Sequence, residues 1–330
     1  MPKITCILPA YRVAPYLAAA VNSLLAQTER DFEVLILDDG SRDETLAVAE
    51  ACTRDARVRL LVNEQNIGLA ATLNRGIAAS DSRYIARMDA DDICLPQRFA
   101  RQLAYMEQHP QVGLCGARRI DCYPDGTRKR GRIHTDPAYI KAALFWDTVI
   151  AHPTFFIDRA RLLASGQLYD PACRAAEDYD LLCRLRPFFD FGNVAKPLLL
   201  YTVRADSLSR AADSPADALI ARIRQRNLDA LLGGAASAAE HHLNHQLRHA
   251  QPIANADALA AFLDRLMAAN AVRQIYPAHA FAGVLAEKCA RLIKRQRAGH
   301  LAPVYRAFCR QYAVRIPLRM WAQLAVLARG

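Results

Sequence analysis

The chain has 330 residues, 52% of them hydrophobic, and a formal net charge of +10. That length holds one large domain or two ordinary ones around a sizeable core, and no apolar run approaches the length of a bilayer span, which argues against a spanning helix. Nine cysteines, an odd number with no C-x-x-C pair, argue against a disulfide framework and a zinc ribbon.

The cysteines are therefore expected to be reduced thiols in a cytoplasmic protein, and the amino terminus runs directly into a strand with no basic-then-apolar leader. Charge is uneven. Residues 1–204 hold 26 Lys and Arg against 25 Asp and Glu, whereas 205–330 hold 17 against 8. From Lys288 onward there are ten basic residues and no acidic one.

In chain order, Ile4 to Leu8 reads as a buried strand broken by Pro9-Ala10-Tyr11-Arg12. Leu17, Val21, Leu24 and Leu25 have helical spacing after Pro15. Phe32 to Leu37 is a second strand, ending on Asp38-Asp39-Gly40-Ser41, and Ser41 with Glu44 predicts a capping box for a helix through Cys52. Val58 to Val62 is a third strand, followed by a turn at Asn63 to Gly68 and a helix from Leu69 to Ala79. Tyr84 to Met88 is a fourth strand, and Asp89-Ala90-Asp91-Asp92 follows at once.

Alternating strands and helices predict right-handed βαβ units and a mostly parallel α/β sheet with helices on both faces. Ligands in such sheets bind beyond the carboxyl ends of the strands, where the three polar clusters lie. Farther on, Pro96 to Gln108 predicts a helix and Val112 to Gly116 a strand. Asp121 to His134 is basic and turn-rich, a hairpin or mobile loop. Tyr139 to Trp146 reads as helix, Glu177 opens another to about Arg186, and Leu198 to Val203 is a late strand. Beyond Ser214 the chain becomes Ala- and Leu-rich helices broken at Gly233-Gly234, Pro252, Pro277 and Pro303. The expected division is a catalytic α/β domain over 1–210 and an all-α basic region over 211–330.

Three crowded carboxylates after a strand repel one another unless a cation or donors sit among them, and a hard ion such as Mg²⁺ or Mn²⁺ suits oxygen ligands. The competing reading is a solvated turn that caps the next helix. Asp39 has the chemistry to accept an imide N–H of a base, and Tyr11 to stack on it; a helix-start residue and a half-buried aromatic are the plainer alternatives. Asn66-x-Gly68 and Asn74-x-Gly76 are turn and helix-end signals. Arg75 and Arg87 are candidates to offset a diphosphate. Glu177-Asp178 offers a general base for a substrate hydroxyl, with Asp170 and Asp180 as competitors. His152 is a sugar or metal contact or a structural histidine, and His241, His242 and His245 read as solvated.

Five blocks, I-T-C-I-L-P-A-Y-R, V-L-I-L-D-D-G-S-R-D-E-T, N-I-G-L-A-A-T-L-N-R-G-I, Y-I-A-R-M-D-A-D-D-I-C-L-P-Q-R-F and A-E-D-Y-D-L-L-C-R-L, resemble family 2 glycosyltransferases in order and spacing. The resemblance covers about two-thirds of the chain. It implies the Rossmann-like GT-A fold, a nucleoside-diphosphate (UDP) sugar donor, Mn²⁺ or Mg²⁺, inversion at the anomeric carbon, and work in bacterial surface polysaccharide or lipopolysaccharide synthesis. Carried over residue by residue, Tyr11 and Asp39 match base-holding positions, with Pro9 and Ala10 the bordering backbone. Asp91 matches the metal ligand and Asp89 the ribose side of the D-x-D pair, with Ala90 between them. Asp178 matches the general base and Glu177 its neighbour. Where many relatives show Y-R-x-H, this chain has Tyr201-Thr202-Val203-Arg204, so Arg204 stands at the family His and would pair with phosphates directly.

The tail's basic residues interleave with Leu, Ile, Tyr, Phe and Trp321, as in helices lying on anionic membranes. That suggests a lipid-linked or glycan acceptor and a peripheral position on the inner face of the cytoplasmic membrane; packing on the catalytic domain or homodimerisation is the alternative. A sugar-nucleotide nucleotidyltransferase would share the carboxylates but wants a Gly-rich loop after the first strand. The D-x-D phosphatase pattern, P-loop and dinucleotide fingerprints are missing. A non-catalytic polyanion or membrane binder is the rival from another class, and no nucleic-acid module supports nucleic-acid binding.

Overall fold

The computed structural model describes residues 1–204, 215–317 and 320. It divides into two compact units, Met1–Ile140 with Thr148–Ile220, and Lys141–Asp147 with Ala221–Gly330.

The first unit opens with β1 (Ile4–Ala10), α1 (Ala14–Leu25), β2 (Phe32–Asp38), α2 (Thr45–Cys52), β3 (Val58–Val62), α3 (Leu69–Ala78) and β4 (Tyr84–Arg87). These strands lie in the order β3-β2-β1-β4, all parallel, with Ile4 opposite Phe32 and Tyr84. The near-continuous apolar runs follow from burial on both faces. Leu17, Ala20, Val21 and Leu24 of α1 are buried, a stripe at helical spacing that covers one face.

The rest of the unit contributes β5 (Ile93–Cys94), α4 (Arg98–Gln108), β6 (Val112–Cys122), β7 (Arg128–Arg130), α5 (Pro137–Ala143), β8 (Phe156–Asp158), α6 (Arg159–Ala164), α7 (Glu177–Leu185) and β9 (Asp190–Thr202). The sheet continues from β4 through β8, β6 and β9 to β5, with β7 paired on β6. Pairing here is mixed: β8 runs antiparallel to β4 and β6, while β6 and β9 run parallel through several register shifts. This half was the harder to read. Arg118-Arg119 in β6 and Lys196-Pro197 in β9 interrupt the apolar pattern, so both strands are longer than their apolar cores suggested.

Three local expectations need correction. Glu44, not Ser41, is the N-cap of α2, and it makes no side-chain cap. Ser41 instead donates its N–H to Asp38 Oδ2 at 3.1 Å and accepts the Arg12 N–H at 3.2 Å, which ties the β1 and β2 ends together. The helix expected over Tyr139 to Trp146 is α5, which starts at Pro137 and ends at Ala143. Pro96 stands two residues before α4, whose N-cap is Gln97.

Buried Arg98 ties α4 to the sheet. Its guanidinium donates to Gln102 Oε1 at 2.9 Å and to the Arg87 carbonyl at 2.7 Å, so the strand end before Asp89 is held from below. All nine cysteines are free.

The second unit is helical: α8 (Pro215–Leu232, shared with the first unit), α9 (Ala238–His249), α10 (Ala256–Arg273), α11 (Ala278–Gln296) and α12 (Ala302–Gln311). Ser237 and Glu240 form a reciprocal capping box on α9. The short segment Lys141–Asp147 is threaded into this bundle. Trp146 is fully buried and donates Nε1–H to Asn244 Oδ1 at 2.8 Å, and Asn227 donates to the Leu144 carbonyl at 3.0 Å. Among the described residues no helix is long and apolar enough to cross a membrane. Trp321 and the expected boundary at 210/211 lie outside the described residues.

Candidate active site

A cleft of about 1010 Å³ opens at the carboxyl ends of the parallel strands in the first unit. Pro9, Ala10, Tyr11, Asp39, Asp89, Ala90, Asp91, Glu177 and Asp178 all line it. Residues far apart in sequence meet here because β1, β2 and β4 are neighbours running the same way.

Asp39 is buried, and its carboxylate is a hub. Oδ1 accepts from Ile67 N–H at 2.9 Å and Asn63 Nδ2 at 2.8 Å, and Oδ2 accepts from Gly68 N–H at 3.0 Å. It therefore fixes the loop before α3 against the cleft wall. Gly40 beside it sits at φ +69°, and a Cβ there would lie 2.5 Å from the Gln65 carbonyl carbon. Only glycine allows the two loops to approach so closely. Tyr11 is 40% exposed, with the Arg12 guanidinium 5.2 Å from its ring centroid.

The acidic turn is strongly asymmetric. Asp89 is gripped by Arg87, with contacts at 2.8 and 2.5 Å, a bidentate pairing. Asp91 is half-buried, and its carboxyl is pushed above the ordinary range by burial and then by the charge of Asp89. Its nearest cation is Arg204, 3.6 Å away. Asp92 points inward, accepting the Thr202 N–H at 2.9 Å, and among the described residues its other oxygen has no hydrogen-bond partner. Burial and the Asp89 charge hold it well above the carboxylate range. Three close acids thus meet two cations, Arg87 on Asp89 and Arg204 on Asp91, which leaves the turn acidic beside the cleft.

To the same cleft, α7 presents Glu177 and Asp178 in its first turn. Burial and then the neighbouring Asp178 push Glu177 up to about 7, and burial raises Asp178 as well. His152 lies 3.8 Å from Glu177 and 2.9 Å from the Tyr169 hydroxyl. Burial and then Arg87 drive His152 well below its usual value, which favours the neutral ring beside Glu177. The competitors fall away: Asp180 is bound by Arg184 at 2.7 Å inside the helix, and exposed Asp170 caps a turn through the Ala172 N–H at 2.9 Å.

Of two further expected residues, Arg75 sits elsewhere and Arg204 borders the acidic turn. Arg75 is exposed and points away from the cleft, donating to the Val62 carbonyl and the Asn63 side chain, where it stitches β3 to α3. Arg204 touches Asp91 and lies 5.2 Å from the Tyr16 ring centroid, yet it is not among the residues lining the cleft. Arg119, Asp121 and Tyr201 also line the cleft. Arg119 donates to Asp121 at 2.7 Å and stacks 4.2 Å from the Tyr201 centroid. Sequence named Tyr201 only as the first residue of the Y-R-x-H comparison and Asp121 only as the start of a turn-rich segment, and it gave no signal for Arg119, whose strand is longer than its apolar core.

A family model described as "Glycosyl transferase family 2" matches residues 5–165. EpsE of Bacillus subtilis (strain 168), named as a glycosyltransferase, is 31% identical over 212 residues, which is 62% of this chain and 74% of that one. Succinoglycan biosynthesis protein ExoO of Rhizobium meliloti (strain 1021) is 29% identical over 232 residues, 64% of this chain and 63% of that one. Among solved structures, S. aureus TarS 1-349 in complex with UDP-GlcNAc matches with a TM-score of 0.56 over 99% of this chain and 89% of that one, at 16% identity. The mannosyltransferase PcManGT from Pyrobaculum calidifontis, in complex with GDP-Man and Mn²⁺, gives 0.51 at 18% identity, covering 98% and 86%. At such identities the structural likeness establishes the GT-A fold alone.

Proposed function

The chain belongs to glycosyl transferase family 2, and from that premise we propose that it moves a sugar from a nucleoside-diphosphate donor, UDP-linked, to an acceptor hydroxyl with inversion at the anomeric carbon. The observation that carries this reading is the meeting, in one cleft, of Asp39, the Asp89–Asp91 turn and the Glu177–Asp178 helix start. A structural neighbour holding UDP-GlcNAc and a relative named for succinoglycan biosynthesis favour a UDP-sugar and a role in surface polysaccharide synthesis.

Asp39 and Tyr11 would hold the base, with Pro9 and Ala10 beneath it. The residues fit a divalent cation: Asp91, raised above the ordinary range by burial and by the charge of Asp89 beside it, presents hard oxygen donors crowded by like charge, a set that suits Mg²⁺ or Mn²⁺. Such an ion would neutralise diphosphate charge while the C1–O bond breaks. Arg204, within reach of Asp91, would turn to the phosphates when a cation takes that carboxylate. Asp178 accepts the acceptor's proton as its oxygen attacks C1 from the opposite face; the new C1–O bond forms and the nucleoside diphosphate leaves. A carboxyl raised toward neutrality by burial is a better base for this step.

The acceptor is read as a glycan or lipid-linked hydroxyl. The basic helices of the second unit suit an anionic membrane surface, each cation there contributing about 1 kcal/mol; homodimerisation is their other use. The test is calorimetric titration of a panel of nucleotide sugars, with and without Mn²⁺, on wild type and Asp91→Ala. Metal-dependent binding of one UDP-sugar, lost in the variant, is the expected result. Binding of no nucleotide sugar by the wild type would overturn the reading.

A further inference from the structure

Not all cations near the cleft have an assignment in that mechanism. Arg87 is committed to Asp89 and Arg119 to Asp121. Arg132 and Arg174, both exposed, line the cleft, and among the described residues no carboxylate lies within ion-pair distance of either. Leading to Arg132 is β7, whose three residues Arg128, Lys129 and Arg130 are all exposed.

This strand pairs with β6 alone, Arg128 opposite Cys122 and Arg130 opposite Ile120. Gly131 then donates to the Arg119 carbonyl at 3.0 Å, which fixes the hairpin stem beside a residue of the cleft wall. Alternate strand residues face the same way and directly opposite residues share a face, so Lys129, opposite Asp121, lies on the face of the cleft-lining Arg119 and Asp121, and Arg132 beyond the strand lines the cleft itself. The two hairpin acids do not balance them: Asp121 is held by Arg119, and Asp125 serves the turn by accepting the Thr127 N–H at 2.8 Å.

Charge on an edge strand also deters aggregation. That explains β7 by itself but not Lys129 on the cleft face, nor Arg132 and Arg174 in the cleft lining. A track of unbalanced cations that enters a catalytic cleft attracts an anionic chain whose end must reach the cleft.

We propose that the β6–β7 hairpin is the docking strand for an acidic glycan acceptor, a saccharide chain bearing carboxylate or phosphodiester charges, with Arg132 and Arg174 in the cleft lining. This rests on the glycosyl-transfer reading and names its acceptor class. The acidic chain lies along Lys129 and Arg132 while its terminal hydroxyl reaches Asp178. The donor occupies the β1–β2–β4 side, where the carboxylate and metal chemistry lies.

The experiment measures binding of a fluorescent acidic oligosaccharide, tetragalacturonate, against neutral maltotetraose, at low and physiological salt. It uses the full chain and a variant carrying Arg128→Glu, Lys129→Glu and Arg130→Glu. A control of equal charge change, Arg291→Glu, Lys294→Glu and Arg310→Glu, lies in the second unit. The wild type is expected to prefer the acidic probe by about tenfold, the scale of a few exposed ion pairs. The hairpin variant should lose that preference and the control should keep it.

Equal affinity for both probes overturns the inference, as does a preference that survives hairpin reversal or falls equally in the control. Phosphatidylglycerol vesicles provide the other source of anions: hairpin-dependent vesicle binding without binding of the acidic probe would replace the glycan with a lipid surface. Nucleotide-sugar titration of the same samples separates the failures. Intact donor binding with no acidic preference removes this inference alone, while absent donor binding in wild type removes the glycosyl-transfer reading. Donor binding by the hairpin variant also shows that it folds.

Discussion

Asp91 and Asp178 line one cleft, and burial raises both carboxyls. Asp91 is crowded next by the charge of Asp89, while Asp178 sits at a helix N-terminus that favours its ionised form. Asp178→Asn keeps the shape and removes the base. Turnover should fall by roughly 10²–10⁴ while calorimetric donor affinity stays within error, and an active variant would remove Asp178 from the proposed mechanism. Glu177 yields a pH prediction. Its folded-state value is about 7 against an ordinary 4.5, so below about pH 4.5 both states hold the proton and nothing is lost. Between those values only the folded state holds it, and stability falls as pH rises. The penalty is fully present above 7, about 3 kcal/mol at most. Glu177→Gln should therefore raise the thermal midpoint at pH 8 and leave it nearly unchanged at pH 4.5; an equal effect at both values would show that titration is not the cause. Likewise Mn²⁺ should raise the midpoint of wild type and not of Asp91→Ala, read by the same melting curves.

At the scale of elements, the site depends on loops that touch where strands end. Gly40 and Gly68 both take positive φ, but only Gly40 faces backbone at contact distance; nothing lies within 4 Å of a Cβ at Gly68. Gly68→Ala should cost the backbone strain alone, about 1 kcal/mol. Gly40→Ala must also push the Gln65–Asn66 backbone away, so its loss should exceed that of Gly68→Ala in denaturant melts and be accompanied by weaker donor binding, because Asp39 orders the same loop. Equal losses would show that the close approach is not maintained in solution. Arg75 teaches the complementary lesson: a basic side chain one helix turn from a site is as readily consumed by a carbonyl at the end of β3. Sequence carries the residue type but not the direction in which the side chain leaves the helix.

At the scale of the whole chain, the charge asymmetry has a structural counterpart inside the second unit. Asp147 contacts Arg224, Arg248 and Lys288, three cations brought to one carboxylate. Those cations, Lys288 foremost, hold Asp147 below the usual carboxylate range despite its burial. Asp147→Ala leaves them packed together without their counter-charge, a loss of about 3–5 kcal/mol for a partly buried network at its upper bound. Chemical denaturation should show the helical unit melting earlier, and an unchanged midpoint would mean the cluster is solvated. No reading of composition singles out Asp147, since its three partners lie 77, 101 and 141 residues away.

What the sequence by itself determined was the part governed by local periodicity and short-range order. The parallel strands β1 to β4, the helices between them, the acidic turn after β4 and the Glu177–Asp178 helix start were legible because apolar runs and turn residues are adjacent in the chain. The breaks at Gly233, Pro277 and Pro303 likewise mark helix ends. Tertiary structure alone decided which carboxylates share a cleft, that Asp92 turns inward while Asp91 faces out, that Ser41 bridges strand ends rather than capping a helix, and that β6 and β9 pair across a bulged, half-polar ladder. Each of those depends on contacts between distant residues, where burial and charge override local preference.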